Sequence, residues 1–185
     1  MKKPLRIILA VLTCGIAIFI IAFVLLNQLF GVDDKSTRSL TAELKTGTES
    51  FNALANNILS DGTINFISIQ GGNTNRCETV NNWTRCPGQN WKNTSTNEQV
   101  INLEQVLQAE RISKSHFDSI VNFMNAHQLK SIQIPFDCKG CVDFEVSYNG
   151  LRYSSSDNYI FETDHEYVIV TRVDKNWFSY ERDIN

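Results

Sequence analysis

Two thiols three positions apart can shuttle electrons, bind zinc or close a turn, and Cys138-Lys139-Gly140-Cys141 offers that pattern once in this chain. Thioredoxin-type reactivity needs the attacking thiol at a helix N-terminus, where the dipole and free N–H groups stabilise a thiolate. Here the flanks read as strands, Ile132 to Phe136 leading in and Val142 to Tyr148 leading out. The motif therefore falls on a β-turn centred on Lys139-Gly140. A structural disulfide is the favoured reading, ahead of a bond to the second pair (Cys77 and Cys86), a four-thiolate zinc site, and redox catalysis. The eight-residue gap between Cys77 and Cys86 is wide for a zinc knuckle, and no metal or other cofactor is expected. As disulfides, the Cys77–Cys86 ring stabilises by about 3 kcal/mol and the four-residue ring by about 2 kcal/mol on the chain-entropy model. Four cysteines admit three pairings, and spacing does not choose among them.

Asp143 and Glu145 point to one side of a strand about 7 Å apart, the range of glycosidase carboxylates. Such pairs straddle a deep cleft. On a hairpin with Arg152 across from them, a solvated face is the expectation. His116 and His127 share a helix face but lie about 16 Å apart along it, too far for one metal or proton relay; His165 falls in a predicted turn. No catalytic residues are expected, since no nucleophile elbow or phosphate cradle occurs. The remaining candidate is a polar stretch, 71–97, with seven Asn and two Cys. Arg76, Trp83, Arg85 and Trp91 lie in or beside its ring, and Arg and Trp dominate binding hot spots. They are the candidate partner-binding residues, against the alternative that both indoles fold back over the sheet. Asn82-Trp83-Thr84 and Asn93-Thr94-Ser95 match the glycosylation pattern, relevant only in a eukaryote.

The elements that position these residues follow from periodicity. Leu40, Leu44, Phe51, Leu54 and Ile58 recur at helical spacing. A capping box at Thr46 to Glu49 predicts a firm helix over 47–60, stopped at Asp61-Gly62, with 31–46 as a juxtamembrane linker. Thr63 to Gln70 reads as a central strand. Thr96 to Gln99 predicts a second helix start, carrying Val100, Leu103 and Leu107, and Ser115 to Asp118 caps a third that runs to about His127. From Lys130 the period is two. Asn149-Gly150 predicts a two-residue hairpin loop pairing Tyr148 with Leu151 and Ser147 with Arg152; Tyr159 to Glu162, Tyr167 to Val173 and Trp177 to Tyr180 follow as strands. The expected fold is α+β, with an antiparallel meander sheet of about five to six strands packed on three helices, and one domain over 47–185.

Where this domain works is set by Ile7 to Phe30, 24 residues without an Asp, Glu, Lys, Arg or His, preceded by Lys2, Lys3 and Arg6. As a helix the run spans about 36 Å, enough to cross the bilayer core. It exceeds the apolar region of a cleaved signal peptide, and Val11-Leu12-Thr13-Cys14 is a poor lipoprotein signal. The expected topology is therefore a cytoplasmic tail (1–6), an N-terminal transmembrane helix (7–30) in the inner (cytoplasmic) membrane, and a periplasmic, extracytoplasmic C-terminal part, in keeping with the positive-inside bias and with the even set of four cysteines that remains once Cys14, inside the run, is set aside. Three of the 17 basic residues precede position 31, leaving 14 against 20 acidic ones, net −6. That balance argues against nucleic acid as a partner. The sequence specifies no reaction. The expectation is a non-catalytic, membrane-anchored protein-binding module, an immunity protein or inhibitor or an accessory subunit of an envelope complex, whose partners are the bilayer and another envelope protein. The alternatives are an envelope thiol-disulfide oxidoreductase using Cys138 and Cys141, or a purely structural envelope protein.

Overall fold

The computed structural model describes residues 37–69, 77–147, 149–161 and 167–182. The proposed tail and anchor, residues 1–30, lie outside them, and among the described residues no helix is long and apolar enough to cross a membrane.

Helix α1 spans Thr37–Asp61 and bends at Gly47. Leu40, Leu44, Phe51, Leu54 and Ile58 are all buried, so the stripe runs through the bend. The predicted linker is thereby corrected: 37–46 is helix and core, and the Thr46 hydroxyl bonds back to the carbonyl oxygens of Ala42 and Glu43 rather than capping a new start. Gly62, at φ +67°, ends the helix as expected, its N–H reaching the Ile58 carbonyl. Helix α2 (Leu103–Ala109) starts later than predicted. The capping box there is Asn102 with Gln105, a few residues past Thr96. Helix α3 (Lys114–Ala126) is capped by the Ser113 hydroxyl, which accepts from the His116 N–H.

The sheet has ten antiparallel strands rather than five or six. They are β1 (Phe66–Ser68), β2 (Glu78–Val80), β3 (Trp83–Arg85), β4 (Trp91–Asn93), β5 (Gln99–Val100), β6 (Ser131–Gln133), β7 (Cys141–Glu145), β8 (Asn149–Ser154), β9 (Tyr167–Asp174) and β10 (Trp177–Arg182). Their order is β5-β4-β3-β2-β1-β6-β7-β8-β10-β9. Strand β1 is central, as its two apolar parities predicted. The added strands β2 to β5 come from the stretch 71–97 and the residues just after it, expected to be a loop. The simple meander is also corrected, since β10 returns between β8 and β9. Residues 159–161, predicted as strand, are irregular.

All three helices contribute to one core over one sheet face. Phe51 stacks against Phe123, Phe144 and Trp177, with ring centroids 4.8–5.8 Å apart. Asn52 and Asn56 of α1 accept from the Trp177 indole (2.8 Å) and the Tyr153 hydroxyl (2.9 Å), which satisfies the polar tips of two buried aromatics. A second, smaller apolar cluster, Phe161, Phe178 and Tyr180, lies apart from this core.

Candidate functional site

Strand parity explains why a second cluster exists. On β7, Val142 and Phe144 belong to the helix-side core, so Asp143 and Glu145 project from the other face. Register then builds two rows across the sheet. Gln133, Asp143, Arg152 and Phe178 form one, and Ser131, Glu145, Gly150 and Tyr180 the next.

The predicted hairpin register is thus replaced. Leu151 pairs with Phe144 and Arg152 with Asp143, not with Tyr148 and Ser147. The turn is longer, closed by the Val146 N–H on the Asn149 carbonyl. The offset is even, so each side chain keeps its face. Gly150 decides the matter: a Cβ there would sit 2.6 Å from the Phe144 carbonyl oxygen and 2.7 Å from the Tyr180 hydroxyl. Only glycine leaves room for the Tyr180 ring to pass and reach Glu145.

The face expected to be solvated is closed. Asp143 and Arg152 are 0 % exposed and Glu145 is 7 %. Arg152 donates from Nε and Nη2 to the two Asp143 oxygens (2.7 and 2.8 Å), and from Nη1 to Asp137 (2.7 Å) and the Tyr159 hydroxyl (3.0 Å). Its guanidinium centre lies 4.0 Å from the Phe161 ring centroid, a cation–π contact. Glu145 accepts from the Ser131 hydroxyl (2.5 Å), Gln133 Nε2 (2.9 Å) and the Tyr180 hydroxyl (3.1 Å), and pairs with Arg182 (2.9 Å).

Burial drives the Asp143 carboxyl up to about 6, with the hydrogen bonds and charge of Arg152 pulling against it. For Arg152, burial works against the charge. The hydrogen bonds and charge of Asp143, then Tyr159 and Asp137, outweigh it and hold the guanidinium above its ordinary range. Burial, then the charges of Asp143 and Glu145, push the Tyr180 phenol well above its usual value. At neutral pH the cluster holds an ionised Asp143–Arg152 pair beside a neutral phenol. Both Asp143 oxygens are occupied and the carboxylate is sealed from solvent. What the arrangement does is pin the segment 155–161 and the loop 136–140 to the back of the sheet.

The cysteines pair locally, Cys77 with Cys86 and Cys138 with Cys141. The thiols are thereby divided between two rings, and among the described residues no group of His, Cys, Asp and Glu is placed to hold a metal ion. Trp83 and Trp91 are each 1 % exposed, which removes them from any contact surface and fits the alternative that the indoles fold back. The Trp83 N–H donates to Glu110 (2.8 Å), which also accepts from Asn81 (2.7 Å), an Asn whose Oδ1 in turn takes the Asn65 N–H. Arg85 is half-exposed, ion-paired to Glu78 and stacked over Trp91. Arg76 and His165 lie outside the described residues. His116, expected at the surface, is 9 % exposed; His127 bonds Glu43 at 2.7 Å. Of the glycosylation-pattern residues, Asn93 is buried and its Oδ1 accepts from the Ser95 and Thr96 N–H groups.

The chain matches no family model, no curated protein and no solved structure. Phe136 and Ile160 are fully and 75 % exposed, and they adjoin Asp137 and Tyr159, which meet on one Arg152 nitrogen. Ile169, 50 % exposed, lies on β9. That strand ends the sheet, and among the described residues nothing pairs with its outer side. Its eight residues, with Val168, Ile169, Val170, Thr171 and Val173, are rich in β-branched types. At the other end the edge is β5, only two residues long. Short edges resist pairing, whereas long apolar ones invite it.

Proposed function

We propose that the chain is a single-pass protein of the cytoplasmic membrane, anchored by 7–30, that presents its α+β domain on the extracytoplasmic side and binds another envelope protein there. The partner contributes an extended segment that adds to β9 as an eleventh strand. Main-chain hydrogen bonds supply affinity in such complexes and alternate side chains supply selectivity. The observation that carries this reading is the open, eight-residue, β-branched edge of β9. Support for the compartment comes from the apolar run with its basic N-terminal flank and from two cysteine pairs at bonding distance. The role is non-catalytic, that of an inhibitor or immunity protein or of an accessory subunit of an envelope complex.

The test is capture of envelope proteins by the full-length chain in detergent, with Ile169→Lys/Thr171→Lys as the edge variant. Both positions are exposed, so the fold tolerates the change, and charges on an edge strand oppose further pairing. The edge variant should lose partner recovery by about tenfold or more. If Arg85→Ala abolishes capture and the edge variant leaves it intact, binding belongs to the stapled loop and the edge reading is wrong.

A further inference from the structure

We infer that the Cys138–Cys141 disulfide is a thiol-operated latch that sets the order of 155–161 and of the β9–β10 hairpin, and so of the edge on which the proposed partner binds. The inference rests on that partner reading only for its consequence at β9.

Residues 155–161 are tied to the latch side at Gly140 and near Asp137. The Gly140 carbonyl, inside the disulfide ring, accepts the Ser155 N–H at 2.9 Å, and the approach is so close that a Cβ on Gly140 would stand 2.8 Å from the Ser155 hydroxyl. Asp137, next to the ring, meets Arg152 Nη1 at 2.7 Å beside the Tyr159 hydroxyl at 3.0 Å. From there the restraint passes to β9 and β10. Asp157 pairs with Lys175 at 2.6 Å, and its carbonyl takes a bond from Arg172 Nη2 at 3.4 Å. Arg172 lies over the Phe178 ring, 5.3 Å from its centroid, and Tyr159 stacks edge-on against the same ring at 5.7 Å. Opening the ring removes the covalent constraint on the loop that carries both Asp137 and Gly140 and leaves it the Cys138 N–H bond to the Pro135 carbonyl (3.2 Å) and the Cys141 N–H bond to the Cys138 carbonyl (3.1 Å).

The chemistry is ordinary exchange with a dithiol reductant. Cys141 is fully buried and Cys138 is only partly buried, so the incoming thiolate attacks Cys138 Sγ, the S–S bond breaks, and Cys141 leaves as a thiolate that takes up a proton. The reductant's second thiol then displaces Cys138 from the mixed disulfide. Two electrons pass to the protein, which ends with two thiols, and the reductant ends as a disulfide.

Hydrogen exchange on the full chain in detergent, with and without dithiothreitol, tests this. In Cys77→Ser/Cys86→Ser only the latch bond remains to be reduced. Removing a four-residue ring should raise the opening constant of 155–161 by up to about twentyfold, the whole worth of the ring, seen as faster exchange there and in 171–176, while 142–145 changes by less than about twofold. Cys138→Ser/Cys141→Ser with Cys77–Cys86 intact should move 155–161 in the same direction without reductant, which keeps the latch testable if the first double variant does not fold, and unchanged exchange there would overturn it. Unchanged exchange in 155–161 on reduction would overturn the latch. If 155–161 loosens but oxidised protein captures nothing along β9, it is the partner reading that falls and the latch that stands.

Discussion

Replacing Arg152 by Met removes the centre of the back-face cluster, and the cost can be worked from what remains. Arg152→Met nearly preserves volume, so no large cavity forms. It deletes the hydrogen bonds to Asp143, Asp137 and Tyr159 and leaves Asp143, 0 % exposed, with neither of its Arg152 donors. Breaking a buried pair by removing one partner costs about 3–5 kcal/mol, because the surviving charge stays desolvated. Burial, with the Glu145 charge beside it, would then outweigh the pull of Arg182, and the Asp143 carboxyl should rise above the value near 6 and bind a proton at neutral pH. A domain of this size holds about 5–15 kcal/mol in total, so the loss is a large share. In thermal unfolding of the full chain the midpoint should fall by roughly 10 °C. Adding Asp143→Leu to Arg152→Met should recover about 2 kcal/mol, since an apolar pair leaves no charge stranded. A single variant that loses less than about 1 kcal/mol, or a double variant whose loss is the sum of the two singles, would show that the pair is solvated and the assignment of a sealed back face wrong.

Two smaller perturbations probe the same face. Gly150→Ala places a methyl against the Phe144 carbonyl and the Tyr180 ring, so the phenol must leave Glu145, at a cost of about 2 kcal/mol in denaturant unfolding. Asp143 is protonated more readily when folded than when unfolded, so the stability it contributes is fully present below about pH 4 and is lost as pH rises through about 6. The wild-type curve relative to Asp143→Asn should fall by about 3 kcal/mol across that window, and a flat difference would contradict the raised carboxyl.

The stripe from Leu40 to Ile58 and its stop at Gly62 were legible because both are local, a helical period and a left-handed glycine. Alternation on β7 and β8 was equally legible, and it assigned the correct faces. Register was not. Asn149-Gly150 favours a two-residue turn on local grounds, and what displaces it is distant in sequence: Tyr180 lying over Gly150, and Asp137 and Tyr159 converging on Arg152. The same distance hid the burial of Asp143 and Glu145. Acidic residues alternating along a strand read as solvated until 155–161 closes over them. One signal was available, since the predicted hairpin already put Asp143, Glu145 and Arg152 on one face, two acids and a cation on the side away from Val142 and Phe144. Strands β2 to β4 were missed because three residues are too few to show a period, and because Asn81, which anchors their first turn, draws its partners from Thr63, Asn65 and Glu110. For the tryptophans, residue type left a contact role and indoles folded back over the sheet both open, because the Glu110 that satisfies the Trp83 indole lies far along the chain.

The central claim, that a partner strand adds to β9, is tested most directly by site-specific photo-crosslinking in the full-length chain in its own membrane. A photoreactive residue at exposed Thr171 should give a discrete crosslinked protein band, reduced by Ile169→Lys, while the same residue at Lys92 on β4, toward the opposite end of the sheet, should give none. Crosslinks at Lys92 with none at Thr171 would contradict it.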